Sequence, residues 1–210
     1  ILSGAALILL TITSVAHDRL PRWFFSVYTA LAGAGSIVAA IPLWLKVVDD
    51  DRGPFATIEG AFGVDGFSVF VTMHIAGAVV MVALLSDDYL DRQEIGGPEP
   101  YVLLMLSAAG GIIMASANDL IVLFLGLEIL SIAVNVLAAM NLKRIQSQEA
   151  GVKYFVLGAV ASAFFLYGIA LTYGATGSTS LFEIRTFLVE FALVEDGLLL
   201  AGFALLLVGL

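Results

Sequence analysis

Seven long apolar runs, separated by short polar stretches, constrain the fold of this chain more than any single motif does. A helix needs about 20 predominantly apolar residues to cross a bilayer. The composition agrees, because 60% of the 210 residues are hydrophobic and only 13% are charged. The runs lie at 1–16, 23–47, 66–85, 101–117, 119–140, 150–173 and 198–210. Since they lack a two-residue alternation, they exclude a transmembrane barrel and predict an all-α, multi-pass helical bundle that is integral to a membrane.

Both ends of the sequence lie inside apolar runs. The chain begins at Ile1 and stops at Leu210, with no polar flank at either position. A signal peptide would carry a basic segment before its apolar core, and the sequence has none there. We therefore expect a fragment of a longer membrane protein, in which the first and last helices are truncated.

Residue types that are rare or missing narrow the function. The sequence has no cysteine and only two histidines, which excludes disulfides, thiolate ligands and most zinc sites. His74 lies within an apolar run and is interpreted as a helix-contact residue, with a proton-path role as the minor alternative. The net charge of −9 gives no support for a nucleic-acid partner, which would need a basic surface.

Charged residues between the runs predict the orientation of the chain. If every run crosses the membrane, five basic residues lie on one side and three on the other. The positive-inside rule assigns the larger group to the cytoplasm. The larger group is Arg19, Arg22, Arg92, Lys143 and Arg144, and the smaller is Lys46, Arg52 and Arg185. Of the two long external loops, 48–65 is predicted to contain a hairpin, and 174–197 an amphipathic helix on the membrane surface.

An acidic residue stands in the middle of the fifth run. Glu128 is the one ionisable residue between Asp119 and Lys143. Nine residues of helix place it about 14 Å from the start of the run, near the midplane of a ~30 Å hydrocarbon core. A carboxylate there costs about 2.5–3.5 kcal/mol on insertion scales, which makes it a candidate functional residue. The structural alternative is a polar contact that holds two helices together. Asn135, two turns further on the same face, is assigned to helix packing.

The sixth run carries a second candidate, Lys153, about a turn and a half inside an expected helix start near Gln148. Glu149 precedes Lys153 by four residues, an order that favours an ion pair on a helix. Two interpretations stay open: a lysine that extends to the membrane surface, and an amine that carries a proton. With 141–147 as a short turn, Glu128 lies ~18 Å deep and Lys153 ~9 Å deep. That separation is too large for a tight ion pair but suits a chain of water molecules.

These residues lie in a stretch that resembles a known family. The segments NDLIVLFLGLEILSIAVNVLAAM and SQEAGVKYFVLGAVASAFFLYGIALTYGATGSTSL are similar to the antiporter-like subunit N family of bacterial NADH–quinone oxidoreductase, respiratory complex I. The match is dense over residues 115–182. Residues 1–114 fit more loosely, by their number of helices and by the motif DGFSVF. Sister subunits L and M and the multisubunit cation/proton antiporters share the glutamate helix, but they are less similar around GLEILS and KYFVLGA.

The resemblance implies an architecture and a set of site residues. Such proteins have about fourteen transmembrane helices with inverted repeats. Residues 1–114 would be helices one to four, and residues 115–210 the start of the proton-translocating module, with helices five to seven. The family's fifth helix bears a glutamate that pairs electrostatically with membrane lysines, and it matches Glu128. The lysine of the sixth helix matches Lys153, and Glu149 would tune it. Asn135 departs from the family, in which an aromatic residue is more usual.

The resemblance also implies a cellular location and a set of partner subunits for the chain. The chain would lie in the bacterial inner membrane, in contact with lipid and with other membrane subunits of complex I, including subunits M and K. Flavin, iron–sulfur clusters, the NADH site and the quinone site belong to other parts of such complexes. Neither a cofactor, a metal nor redox chemistry is therefore expected in this chain. The function implied is proton translocation coupled to NADH oxidation and quinone reduction.

Two alternatives stand beside this function. A subunit of a multisubunit cation/proton antiporter would carry a similar glutamate helix, but its complex would have no NADH-oxidising arm. A structural subunit would use its buried charges only to fix the register of its helices. In that case Glu128→Gln and Lys153→Ala would lower assembly and leave proton pumping intact.

Overall fold

Helices account for most of the chain, as the apolar runs predict. The computed structural model describes residues 1–15, 20–49, 55–191 and 197–210. Within these ranges there are eight helices and one antiparallel two-stranded hairpin. The helices are α1 (Leu2–Val15), α2 (Arg22–Asp49), α3 (Gly66–Arg92), α4 (Glu99–Ser116), α5 (Leu120–Ala139), α6 (Ile145–Thr176), α7 (Leu181–Phe191) and α8 (Gly197–Gly209), and the strands are β1 (Phe55–Thr57) and β2 (Phe62–Val64).

Five helices, α2 to α6, are long and apolar enough to cross a membrane. The shorter apolar helices α1 and α8 are the first and last of the chain. Large apolar side chains such as Leu31 and Leu157 are exposed on the outer faces of the helices. Such faces suit a hydrocarbon environment, which is as apolar as the side chains themselves. The described part of the chain therefore confirms a multi-pass, helical membrane protein.

Two helices are longer than the apolar runs that predict them. α3 continues to Arg92 rather than ending near residue 85, and α6 begins at Ile145 rather than near Gln148. The predicted turn at 141–147 is therefore wrong, because residues 140–144 form the link and the next three belong to α6. Hydropathy detects the part of a helix inside the lipid. The 32 residues of α6 extend ~48 Å, which exceeds a ~30 Å hydrocarbon core.

Two side chains of α6 form hydrogen bonds with the end of α5 and with the link that precedes α6. The hydroxyl of Ser147 donates to the carbonyl oxygen of Ala138 at 2.6 Å, and the side-chain amide of Gln148 donates to that of Leu142 at 2.8 Å. The last carbonyl groups of a helix have no intrahelical partner, so bonds of this kind stabilise its end. The short link makes α5 and α6 antiparallel neighbours, as predicted.

Small residues let the helices approach closely. A Cβ atom added to Gly110 of α4 would lie 2.6 Å from the backbone nitrogen of Leu130 of α5. One added to Gly33 of α2 would lie 2.9 Å from a methyl group of Val80 of α3. Because lipid removes the hydrophobic driving force between helices, close van der Waals packing contributes much of their association. The Gly- and Ala-rich stretches thus serve helix packing, as expected.

Buried side chains form two clusters. The first joins α1, α2, α3 and α4, and Leu9, Val79 and Met105 are almost fully buried in it. The second joins α5, α6, α7 and α8 around Phe165 and Ile184. The link between α4 and α5 connects the two clusters, and α5 packs against α4 on one side and α6 on the other. α5 is therefore held on two sides within the described bundle.

Links between the helices gather at two opposite ends of the bundle. At one end, Arg22 pairs with Asp91 and Lys143 pairs with Glu94. We call this the basic end and define it as residue 22 with the links 93–98 and 140–144. Arg22, Arg92, Lys143 and Arg144, which are predicted to share a side, do share this end. Arg19 and Arg52 lie outside the described residues.

The opposite end, which we call the hairpin end, contains the β1–β2 hairpin, the link 117–119 and residues 177–180. The backbone N–H of Asn118 donates to the carbonyl oxygen of Ala61 at 2.9 Å, and that of Leu181 donates to the carbonyl oxygen of Asn118 at 3.0 Å. The hairpin predicted in 48–65 is present, and the amphipathic stretch predicted in 174–197 forms α7. Residues 50–54 and 192–196 of these loops are not among those described.

Candidate functional site

Asp119 holds the start of α5 at the hairpin end. Its carboxylate accepts hydrogen bonds from the backbone N–H of Ile121 at 2.7 Å and from the hydroxyl of Thr179 at 2.6 Å. An N-cap acceptor stabilises a helix because the first N–H groups have no intrahelical partner. Thr179 belongs to the segment between α6 and α7, so the second bond joins α5 to that segment. The second contact therefore holds the start of α5 against the segment between α6 and α7.

Gly126 sets the distance between α5 and α4. A Cβ atom at this position would lie 2.9 Å from the backbone nitrogen of Met114 and 3.0 Å from the carbonyl oxygen of Gly110. One side of α5 is therefore in backbone contact with α4. Residues two apart on an α-helix point about 200° apart. Glu128, two residues after Gly126, thus points away from α4 and towards α6.

Glu128 is half-buried near the middle of α5, and its Oε1 accepts a hydrogen bond from the hydroxyl of Ser162 on α6. Hydrogen bonds to an ionised carboxylate are about twice as strong as neutral ones. A serine hydroxyl can also accept from a protonated carboxyl, so Ser162 can serve both protonation states. Ionisable side chains that face a bundle interior at membrane depth commonly mark ion or proton pathways.

The helices α5 and α6 pack in one antiparallel register. Gly151 of α6 faces Ala139 of α5 so closely that no side chain larger than hydrogen fits at position 151. Eleven residues further along each helix, Ser162 contacts Glu128. Eleven residues are about three turns, so both contacts lie on one line along each helix. We call this line, from the Ala139–Gly151 contact to the Glu128–Ser162 contact, the α5–α6 seam.

Lys153 lies off the α5–α6 seam. It precedes Ser162 by nine residues, and that spacing is two and a half turns, which places it on the opposite side of α6. Its side chain is 68% exposed and pairs with Glu149, which is 59% exposed. Lys153 is ~12 Å from the start of α6, and α6 exceeds a ~30 Å core by ~18 Å, so Lys153 lies near the membrane boundary if α6 is centred.

The structure brings Glu128 to Ser162 and Lys153 to Glu149, but it does not join the two pairs. A water chain between Glu128 and Lys153 would have to pass around α6. Sequence reasoning misses Ser162, because a serine among alanines in AVASAFF carries neither charge nor motif. The contact could have been predicted from the antiparallel register of α5 and α6, because a contact between residues 139 and 151 implies one between residues 128 and 162.

Two further polar residues of the membrane helices differ in their contacts. Asn135 is half-buried, and its Oδ1 atom is shielded from solvent and accepts no hydrogen bond within the described part of the chain. His74 is exposed on α3, and its Nδ1 lies 2.9 Å from the carbonyl oxygen of Phe70, with ring centroids 4.0 Å apart. The predicted helix-contact role of His74 is thus not seen: its hydrogen bond and ring contact are with its own helix.

One ion pair at the basic end ties two links together. Lys143, in the link between α5 and α6, pairs with Glu94, which follows α3. The hydrogen bond from Lys143 and its positive charge lower the pKa of Glu94. Both side chains are largely exposed, so solvent and salt screen the interaction and its contribution to stability is small.

The part of the chain that carries this site matches a known family. Residues 117–210 match the family described as NADH:quinone oxidoreductase/Mrp antiporter, TM. NADH-quinone oxidoreductase subunit N of Trichlorobacter lovleyi is 36% identical over 176 residues, which cover 79% of this chain and 36% of that protein. Subunit N 1 of Chloroherpeton thalassium is 41% identical over 209 residues, which cover 99% of this chain and 41% of that protein. The chain thus spans less than half the length of these relatives.

Solved structures share the fold. A chain of respiratory complex I from Thermus thermophilus is 32% identical with a TM-score of 0.73, and the match covers 100% of this chain and 43% of that one. A chain of the archaeal membrane-bound sulfane sulfur reductase is 24% identical with a TM-score of 0.81, covering 99% of this chain and 43% of that one. The second likeness, at its lower identity, shows the fold alone.

The helical bundle and its glutamate-bearing helix therefore define an antiporter-like membrane subunit. Within that class, the chain belongs to the family of subunit N of bacterial NADH–quinone oxidoreductase. The resemblance of its sequence to this family is confirmed.

Proposed function

We propose that this chain is part of a proton-translocating membrane subunit of NADH–quinone oxidoreductase and that Glu128 binds and releases the transferred proton. The observation that carries the proposal is the hydrogen bond between the half-buried carboxylate of Glu128 and Ser162, at the middle of two membrane helices. A carboxylate in lipid without water or a polar partner would be strongly unfavourable. A group that is stabilised there, and that can still change its protonation state, is suited to carry a proton.

The energies involved are compatible with this role. Moving one elementary charge across 100 mV costs about 2.3 kcal/mol. A tenfold change in the proton affinity of a group corresponds to about 1.4 kcal/mol. Breaking or forming one strong hydrogen bond at Glu128, or moving one neighbouring charge, changes the free energy of proton binding to Glu128. The size of this change is comparable with the energy of moving one charge across the membrane potential.

Lys153 and Glu149 are proposed to form a second, separate proton-exchanging pair near the membrane boundary. Their position on the far side of α6 from Ser162 favours a partner outside this stretch of chain over a direct link to Glu128. An exposed amine beside a carboxylate can exchange protons with water, whereas Glu128 exchanges them within the bundle. The two pairs would then contribute independently to proton transfer.

We also propose neighbouring subunits and a membrane location for the protein. The relatives are subunits of an oxidoreductase complex, which supports other complex I membrane subunits as neighbours of this chain. Subunits M and K are proposed among them from the resemblance of the sequence alone. NADH oxidation, quinone reduction and their flavin and iron–sulfur groups would then lie in other subunits. We further propose the bacterial inner membrane as its location.

Proton pumping by a Glu128→Gln variant of the complete complex tests the proposal. In reconstituted vesicles we expect most proton pumping through this subunit to be lost, because glutamine keeps the shape but binds no proton. NADH oxidation measured in parallel with an uncoupler should persist. Glu94→Gln, which removes an exposed carboxylate at the basic end, is the matched control and should pump normally. Full pumping by Glu128→Gln, with less assembled complex, would support the structural alternative instead.

A cation/proton antiporter subunit is the second candidate, because the matched family is described by both activities. The two functions differ in what drives proton movement. Vesicles that contain the complex should acidify on addition of NADH and quinone if the first proposal holds. A sodium or potassium gradient that drives proton movement without NADH would favour the antiporter.

A further inference from the structure

A cavity of about 460 Å³ opens between four helices at the basic end. Its wall is formed by the last turns of α3, the first turns of α4, the end of α5 and the start of α6. Pro100 and Tyr101 of α4 are buried and belong to this wall, so the cavity reaches between the helices. Its volume lies within the range of ~300–1,000 Å³ that is usual for ligand sites.

The wall of the cavity changes from polar to apolar with depth in the membrane. Gln93, Asn141 and Arg144 belong to the links between helices, whereas Leu104 and Leu137 lie within α4 and α5. The 20 residues of α5 extend ~30 Å, the thickness of the hydrocarbon core, so the link after α5 lies at the level of the lipid headgroups. A ligand that fits both parts has a polar group at that level and an apolar chain within the core.

Arg144 gives the cavity its charge. Among the described residues of the wall, Arg144 alone is charged, and its guanidinium forms neither a hydrogen bond nor an ion pair with the described part of the chain. Arg22 and Lys143 at the same end differ, because each pairs with a carboxylate. A guanidinium can form two parallel hydrogen bonds with the oxygens of a phosphate. The unpaired cation therefore favours an anionic phosphate group as the polar part of the ligand.

We propose that this cavity binds an anionic phospholipid from the leaflet at the basic end, with its phosphate at Arg144 and part of one acyl chain between Leu104 and Leu137. The inference is independent of the proposed function, because it uses none of the residues assigned to proton transfer. Basic pockets between membrane helices are typical sites for anionic headgroups. A free phosphate ion would match the arginine but would leave the apolar part of the wall in contact with water. The bound lipid contacts α3, α4, α5 and α6 together and so stabilises their arrangement.

Photolabelling of the complete complex in membranes tests the proposal. The probe is a phosphatidylglycerol with a photoreactive group in one acyl chain, close to the glycerol, and mass spectrometry identifies the labelled peptides. We expect label in residues 100–104 and 137–140. Unlabelled phosphatidylglycerol should reduce it, phosphatidylcholine should reduce it much less, and inorganic phosphate should have no effect.

Two variants separate the cavity from the rest of the basic end. Arg144→Gln should lower the labelling about fivefold, which corresponds to the ~1 kcal/mol that one basic residue contributes near an anionic membrane surface. Arg92→Gln removes an exposed cation of the same end that does not belong to the wall. It is the matched control and should be labelled like the wild type. Equal labelling of Arg144→Gln and the wild type would overturn the proposal.

A third variant tests the apolar part of the cavity. Val82→Phe narrows the cavity and keeps Arg144 in place, and it should also lower the labelling. Val82 is 43% exposed, so the larger side chain is compatible with folding. If Arg144→Gln does not assemble, Val82→Phe and a high-resolution density map of the wild-type complex decide, with a headgroup expected beside Arg144. A protein side chain that fills the cavity, label spread evenly over the outer faces of the helices, or equal competition by phosphatidylcholine would contradict an anionic lipid site.

Discussion

Glu128 and Lys153 are both charged residues within predicted membrane spans, yet the structure gives them different surroundings. Glu128 is half-buried in the α5–α6 seam, where Ser162 donates to it. Lys153 lies on the other side of α6, largely exposed, with Glu149 as its partner. The difference shows that a charge within an apolar run is not sufficient to identify an interior site, because the face of the helix decides what the charge meets.

The different surroundings of Glu128 and Lys153 differ in their energetic cost. A lysine near the membrane boundary can extend its long side chain to water, and an exposed ion pair contributes only about 0–1 kcal/mol. The side chain of a carboxylate near the midplane is too short to reach water, so its charge depends on the polar groups that face it. Changes within the α5–α6 seam should therefore have larger effects than changes on the outer face of α6.

Gly126→Leu should have the largest effect, because it displaces the helix that carries Glu128. A side chain at position 126 would overlap the backbone of α4 at Met114 and Gly110. Overpacking of this kind costs about 1–3 kcal/mol or more, so the amount of assembled complex in membranes should fall sharply. Gly158→Leu on α6, where a Cβ meets open space, is the matched control. Normal assembly of Gly126→Leu would show that α4 and α5 are further apart.

Ser162→Ala should have the next largest effect, with assembly preserved. It removes the donor to Glu128, and hydrogen bonds to charged groups contribute about 1.5–3 kcal/mol. We expect proton pumping in vesicles to fall about tenfold, with uncoupled NADH oxidation unchanged. Ser107→Ala is the control, because the hydroxyl of Ser107 donates to Leu104 of its own helix. Equal pumping by the two variants would remove Ser162 from the site.

Asp119→Ala should have a moderate effect that is confined to the start of α5. Loss of an N-cap side chain costs about 1 kcal/mol, and the bond to Thr179 is lost with it. Hydrogen–deuterium exchange of the first turn of α5 should become faster, and thermal inactivation of the complex should begin at a lower temperature. Asp119→Asn keeps an acceptor oxygen and should stay close to the wild type. Unchanged exchange in Asp119→Ala would mean that other contacts hold α5.

Lys153→Gln should have the smallest effect. Because its ion pair with Glu149 is exposed, we expect stability to change by less than about 1 kcal/mol and proton pumping to fall by no more than about twofold. Glu149→Gln should behave in the same way, since both variants break one pair. A loss of pumping as large as that of Glu128→Gln would contradict the separation of the two sites.

The number and order of the membrane helices can be predicted from the sequence, because a window of about 20 apolar residues defines each one. The ends of α3 and α6 cannot, because they lie outside the lipid and depend on particular bonds. One is the hydrogen bond from Ser147 of α6 to Ala138, and another is the ion pair of Asp91 of α3 with Arg22. Hydropathy carries no information about either contact.

Only one residue of the candidate site can be predicted from the sequence. Glu128 is visible in the sequence because it is the one charge in a long apolar run. Ser162 and the exposed position of Lys153 are not, because both depend on the register and facing of α5 and α6. That register is set by small-residue contacts such as Ala139 with Gly151. Such contacts follow from three-dimensional packing rather than from residue type.

A double-mutant cycle on proton pumping tests the central claim most directly, namely that Glu128 acts with Ser162 and apart from Lys153. Glu128→Asp, which keeps a carboxylate, is combined in turn with Ser162→Ala and with Lys153→Gln. The first pair should be non-additive by about 0.5–3 kcal/mol, and the second should add within about 0.5 kcal/mol. Stronger coupling of Glu128 to Lys153 than to Ser162 would contradict the claim.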